Sequence, residues 1–185
     1  MACMDTYDPG DFFDELFLAK GTPRPAAAEL VQRIQSLPLA ELQRRQEAAQ
    51  KMLFKLGVTF NVYSDNQGTE RIFPFDVIPR FVPYSEWERL EKGLKQRIEA
   101  LNCFIHDIYN DQKIIKDQVI SREAIETAPG FLRPCMGLQP PKGIWCHISG
   151  IDLVRDRQGQ WCVLEDNVRE PSGIAYVLKN RQAMQ

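Results

Sequence analysis

Three oxygen-bearing side chains near the carboxyl end have the spacing to hold a hard metal ion. They are Asp152, Glu165 and Asn167, in the stretch Gly150-Ile151-Asp152-Leu153-Val154-Arg155-Asp156-Arg157-Gln158-Gly159-Gln160-Trp161-Cys162-Val163-Leu164-Glu165-Asp166-Asn167. Two apolar runs flank a polar segment, so the stretch predicts a β-hairpin with Gln158-Gly159 at a tight turn. A two-residue loop there sets Val154 opposite Val163 and Asp152 opposite Glu165. Side chains directly across an antiparallel pair have Cβ atoms roughly 4.5–5.5 Å apart, and like charges repel there, so a cation belongs between the two acids. The pleat returns Asn167 to the face of Glu165. Two carboxylates and an amide oxygen suit Mg²⁺, whose remaining ligands are water and nucleotide phosphates. A softer metal would call for thiolates or imidazoles, and Cys162 falls on the opposite face from Glu165. The plain alternative is a solvated acidic hairpin end. Against it stands the apolar character of the strand residues around the acids.

These residues carry a family resemblance. Asp152, Glu165 and Asn167 resemble the metal-binding triad of ATP-grasp ligases, and Glu165-Asp166-Asn167-Val168-Arg169 is similar to their Glu-x-Asn-x-Arg signature. The stretches Arg71-Ile72-Phe73-Pro74-Phe75-Asp76, His147-Ile148-Ser149-Gly150-Ile151-Asp152-Leu153-Val154-Arg155 and Leu164-Glu165-Asp166-Asn167-Val168-Arg169-Glu170-Pro171-Ser172-Gly173 resemble the circularly permuted ATP-grasp proteins of bacteria, distantly related to glutathionylspermidine synthase. The likeness runs from about Tyr7 to the last residue. In the permuted family the metal-binding half precedes the half whose lysines clamp the nucleotide. A chain that stops at Gln185 then corresponds to an amino-terminal portion of a longer enzyme, or to a truncated product.

The resemblance implies an ATP-dependent carboxylate–amine ligase, with Mg²⁺ and ATP as cofactors and a small-molecule carboxylate and amine joined through an acylphosphate. The missing half would come from a second polypeptide or from a homo-oligomer. Arg169 either neutralises charge on the transferred phosphoryl or balances Glu170. His147 either faces the triphosphate or packs. Ser172 is expected as the N-cap of a terminal helix whose backbone N–H groups face a phosphate or a substrate carboxylate. A rival reading is a truncated non-catalytic binding or assembly module. A metal-dependent hydrolase would need a water-activating base, and no histidine–carboxylate cluster supplies one.

The elements that position this site read as α+β: a helical region with a β-hairpin, followed by part of an ATP-grasp-like antiparallel sheet. Residues 1-24 read as an extended arm with a short helix begun by Asp11, 25-140 as the helical region, and 141-185 as the metal-binding part of the permuted domain. Pro25 opens one helix that closes near Pro38, and a second runs from Leu39 to about Leu56, where Gly57 stops it. Val58 to Phe75 predicts a hairpin with its turn at Asp65-Asn66-Gln67-Gly68. Asp76 and Arg80 follow it, either as a salt bridge or with Arg80 reading a carboxylate or phosphate. Ser85 and Glu88 form a capping box for the longest helix, whose stripe from Trp87 to Ile108 is expected to be core. Phe131 to Gly143 is a connection, in which Arg133 is a candidate anion contact. Ile144 to Ile148 is expected to be a strand.

Composition narrows the classes. A net charge of −2 with mixed signs argues against a nucleic-acid binder. No apolar run reaches the length of a membrane span and no leader opens the chain, so cytoplasm is expected and no membrane partner. Five scattered cysteines without Cys-x-x-Cys spacing are expected to be reduced and mostly buried.

Overall fold

Helices and short antiparallel strands alternate along the chain in the computed structural model, which describes residues 4, 6–61 and 70–184. The architecture is α+β, with three two-stranded sheets among the described residues. Contacts divide the chain into two compact units. The first comprises Met1–Glu86, Asp152–Glu165 and Ser172–Gln185, and the second Trp87–Ile151 and Asp166–Pro171.

In the first unit, the arm folds into β1 (Phe17–Ala19) and β2 (Thr22–Pro23) instead of the expected short helix. The Asp14 carboxylate accepts the N–H groups of Leu16 and Phe17 at 2.8 and 2.7 Å. A short acidic side chain that captures nearby backbone donors competes directly with helix formation. Helix α1 (Ala28–Gln35) and helix α2 (Leu39–Lys55) follow as expected. Gly57, at φ +71°, ends α2: the N–H of Val58 reaches the carbonyl of Leu53 and that of Gly57 the carbonyl of Phe54. That pair of bonds is the Schellman closure, and the residues it brackets, Leu53 and Val58, are both buried. The core gathers Phe17 with Val31, Ile34 and Leu42.

Strands β3 (Thr59–Asn61) and β4 (Glu70–Ile72) pair as the expected hairpin, Thr59 opposite Ile72. Its turn at Asp65-Asn66-Gln67-Gly68 lies outside the described residues. Beyond it, Gln46 of α2 fastens the chain by donating to the carbonyl of Phe75 and accepting the N–H of Val77. Arg80 does not pair with Asp76. It meets Glu15, while Asp76 accepts the N–H of Ile78 at 2.8 Å.

The long helix α3 (Tyr84–Tyr109) begins one residue before Ser85, which therefore lies within its first turn, and Pro83 accepts the N–H of Glu86. In the second unit only the end of its apolar stripe is fully buried. Ile108 and Tyr109 pack with Ile125 of α5 (Arg122–Glu126), while Leu90, Leu94 and Ile98 are half-buried. Tyr109 is stacked between Phe131 and Trp145 at centroid separations of 5.1 and 5.2 Å. Asp107 accepts the N–H groups of Lys113 and Ile114 and so anchors the single turn α4 (Lys113–Lys116). Arg133 pairs with Glu126 at 3.0 Å, which accounts for it without an anion.

Residues 144–148 form bends instead of a strand. Asn102 of α3 accepts the N–H groups of both Trp145 and Cys146, donors that a ladder would have used. The four described cysteines are free thiols and none is fully buried; burial nevertheless pushes the Cys146 thiol upward. No helix of the described residues is long and apolar enough to cross a membrane.

Candidate functional site

Strands β5 (Gly150–Arg155) and β6 (Trp161–Asn167) form the terminal hairpin, as the sequence led us to expect. Its turn differs by one residue. Asp156 accepts the N–H of Gly159 and donates its own N–H to Gln160, which makes a three-residue loop with Gly159 at φ +80°. The Asp156 carboxylate also accepts from Gln158 and Gln160 and steadies the loop. This is the type I turn followed by a left-handed residue that three-residue hairpins use. With Asp156 and Gln160 closing the loop, Arg155 faces Trp161, and its guanidinium lies 4.1 Å from the indole centroid. Val154 therefore faces Cys162, not Val163.

Continued unbroken, that register would put Asp152 opposite Leu164. Along β6, Trp161 and Val163 are half-buried, Cys162, Leu164 and Glu165 are exposed, and Asp166 and Asn167 are half-buried. Asp152 and Val154 are the exposed residues of β5, so the acids Asp152 and Glu165 are both exposed. In the second unit, an ideal Cβ on Gly150 would stand 3.6 Å from Cβ of Asn167, so Asn167 lies against the start of β5. Asp166, between the two proposed ligands of β6, accepts from both Nε and Nη2 of Arg97, the latter at 2.6 Å, and that guanidinium holds its carboxyl below the usual range.

The remaining candidates are less gathered. Arg169 is exposed in a bend, and among the described residues it makes no ion pair with Glu170. His147 is exposed in the second unit, on a bend and not on the expected strand. Ser172 occupies the N-cap position of α6 (Gly173–Ala183), but with helical dihedrals (φ −61°, ψ −25°) and no capping hydrogen bond from its side chain. A capping side chain reaches back to the helix from extended backbone, which Ser172 does not adopt.

The sequence reading passed over what braces this hairpin. Arg155 has a side chain only 6% exposed, yet it carries a charge. Its guanidinium lies between the rings of Phe13, at 4.6 Å, and Trp161. It donates to Glu86 at 2.5 Å and to the carbonyl of Gly159, and its Nε stands 3.6 Å from Glu15. Glu15 in turn accepts two N–H groups of Arg80 and the N–H of Phe81. Burial alone would raise the Glu15 carboxyl, but the Arg80 and Phe81 hydrogen bonds and the charges of Arg80 and Arg155 outweigh it, and the pKa falls below the ordinary value. The signal was available in the alternation, since Arg155 shares its parity with Ile151 and Leu153.

Two expected results follow. A Cβ on Gly159 would fall 2.4 Å from Cε2 of Phe13, at a backbone conformation that L residues rarely adopt. Gly159→Ala should cost about 1–3 kcal/mol, read as a lowered thermal midpoint. For Glu15, a folded pKa below the unfolded one means that its contribution is fully present above about pH 4.3 and is lost as pH falls through the folded value. Urea midpoints between pH 3 and 7 should drop on the acid side in the wild type, with a shallower slope in Glu15→Gln.

A model of the family "Circularly permuted ATP-grasp type 2" matches residues 79–185. An uncharacterised protein of Synechocystis sp. is 58% identical over 98% of this chain and 38% of its own length. One from Mycobacterium tuberculosis is 41% identical over 93% of this chain and 30% of its own. A protein of Frankia alni named "Putative glutamate--cysteine ligase 2-3" is 36% identical over 97% of this chain and 20% of its own. This chain thus spans well under half the length of each of these relatives. With the hairpin and its outward acids inside the matched region, the chain belongs to the circularly permuted ATP-grasp type 2 family.

Proposed function

We propose that this chain carries the metal-binding part of an ATP-dependent ligase that joins a carboxylate to an amine. The observation that supports the reading best is that Asp152 and Glu165, on neighbouring strands of one hairpin, are both exposed. Asn167 follows on the same strand, two residues beyond Glu165. These are hard oxygen donors, and the set fits Mg²⁺. When bound, the ion would spread the negative charge of ATP phosphates during an in-line transfer to the carboxylate. Among the described residues no cluster of three His, Cys, Asp or Glu side chains forms.

The protein's own side chains then have distinct tasks. Asp152 and Glu165 would hold the ion, and Asn167 is kept from the sequence as the neutral oxygen donor of the set. Arg169, exposed and in no ion pair among the described residues, would neutralise charge developing on the transferred phosphoryl. Attack of the amine on the acylphosphate carbonyl expels phosphate and forms the amide. The glutamate–cysteine ligase name of the Frankia relative is in keeping with amide formation. His147 and Ser172 are kept as secondary candidates for phosphate contact.

Calorimetric titration of Mg²⁺ with ATP into the 185-residue chain tests the metal reading. Saturable binding, weakened at least tenfold in both Asp152→Asn and Glu165→Gln, is the expected result. Binding that survives both substitutions would remove the metal site from these residues. No binding by the wild type would favour the assembly-module reading instead.

A further inference from the structure

A cavity of about 700 Å³ opens in the first unit. Its apolar wall includes Leu16, Ile78 and Leu153, and its charged residues are Asp14, Glu15, Asp76, Arg80 and Arg155. Three carboxylates therefore meet two guanidiniums, but they are not equally available. The Asp14 carboxylate is occupied by the Tyr7 hydroxyl and two backbone N–H groups. Glu15, with a side chain 10% exposed, is taken up by Arg80, Phe81 and the nearby charge of Arg155.

Two groups keep unused capacity. Arg80 gives Nε and Nη2 to Glu15, which fixes the plane of a guanidinium whose side chain is 76% exposed and, among the described residues, leaves Nη1 with no carboxylate. Among the described residues Asp76 accepts the N–H of Ile78, through Oδ1, and forms no ion pair. Behind them, Arg155 is more than nine-tenths buried, and its Nε has no hydrogen-bond partner although it is shut off from solvent. A buried donor left without an acceptor is costly and marks a wall where a further acceptor would be favourable.

We propose that this cavity binds an α-amino acid with an apolar side chain. Its carboxylate seats on the pre-oriented Arg80, in the positive field of Arg155, because a guanidinium already held in one plane loses little freedom on binding. Its ammonium group faces the free oxygen of Asp76, and its side chain lies on the wall of Leu16, Ile78 and Leu153. The surplus of one carboxylate disfavours an acidic side chain. The metal ligands Asp152, Glu165 and Asn167 are not needed for this binding, although Leu153 and Arg155 of the same hairpin line the cavity, so the proposal goes beyond the ligase reading and fails or stands separately from it.

Calorimetry on the 185-residue chain with L-leucine, 4-methylpentanoate, 3-methylbutylamine and L-glutamate tests it. L-leucine should bind at one site, at least tenfold more tightly than the acid lacking the amine or the amine lacking the acid. Arg80→Gln should weaken L-leucine and 4-methylpentanoate alike by tenfold or more, whereas Asp76→Asn should reduce L-leucine to the affinity of the plain acid. Asp152→Asn should change none of these values. Absence of saturable binding by L-leucine, a preference for L-glutamate, or unchanged affinity in Arg80→Gln would each overturn the proposal. Asp76→Asn, at an exposed position, keeps the test decisive if loss of Arg80 disturbs the fold.

Discussion

Arg155→Ala should destabilise the first unit by about 3–5 kcal/mol, the range for removing one partner of a buried ion pair. Four losses combine. Glu86 loses the donor that meets it at 2.5 Å, and Glu15 loses one of its two cationic neighbours. Phe13 and Trp161 lose the cation between their rings, an interaction worth about 2 kcal/mol when desolvated. The carbonyl of Gly159 loses a donor as well. Arg155→Lys keeps the charge but not the planar fork, so its loss should fall between wild type and alanine. Urea unfolding of the three proteins checks the order. Equal stability of the alanine variant and the wild type would show that the cluster braces nothing.

Tyr109→Ala should cost the second unit a similar amount, about 3–5 kcal/mol, by opening a cavity where the ring was stacked on both faces. The residue is 7% exposed, and its hydroxyl accepts the N–H of Leu132 at 3.0 Å. Tyr109→Phe keeps the stack and loses only that hydrogen bond, a change of about 1 kcal/mol. Hydrogen exchange resolved by segment separates the two sites: Tyr109→Ala should speed exchange around Phe104, Ile125 and Phe131, while Arg155→Ala should speed it in the arm and the terminal hairpin. Uniform acceleration in both variants would show that the two units open together.

The elements that local rules govern were legible. The Gly57 stop, helices α1 and α2, the existence of both longer hairpins and the terminal helix all follow from periodicity and glycine placement, because the forces that set them act within a few residues. In the terminal hairpin the existence of the two strands was legible, but the loop was read one residue short: two residues were expected where the structure has three. Period-two alternation does not fix the length of a loop. What stayed hidden depends on partners distant in sequence. Arg80 chooses Glu15 over its near neighbour Asp76, and Asn102 withdraws two backbone donors from the expected strand at 144–148. In the arm, Asp14 captures backbone donors within three residues and displaces a helix that the aromatic spacing favoured, a competition that apolar counting does not register.

The brace around Arg155 also sets an order of assembly. Phe13 and Glu15 leave the ribosome long before the strand that answers them, and closing so long a loop is slow compared with the neighbouring contacts around Tyr109. Residues 87–151 can therefore settle without that strand, while the amino-terminal segment, its Glu15 already held by Arg80, waits with the Phe13 ring short of one of its two cations. Synthesis interrupted before Arg155 would leave that segment as the part most open to proteases, a vulnerability that ends when the last hairpin closes.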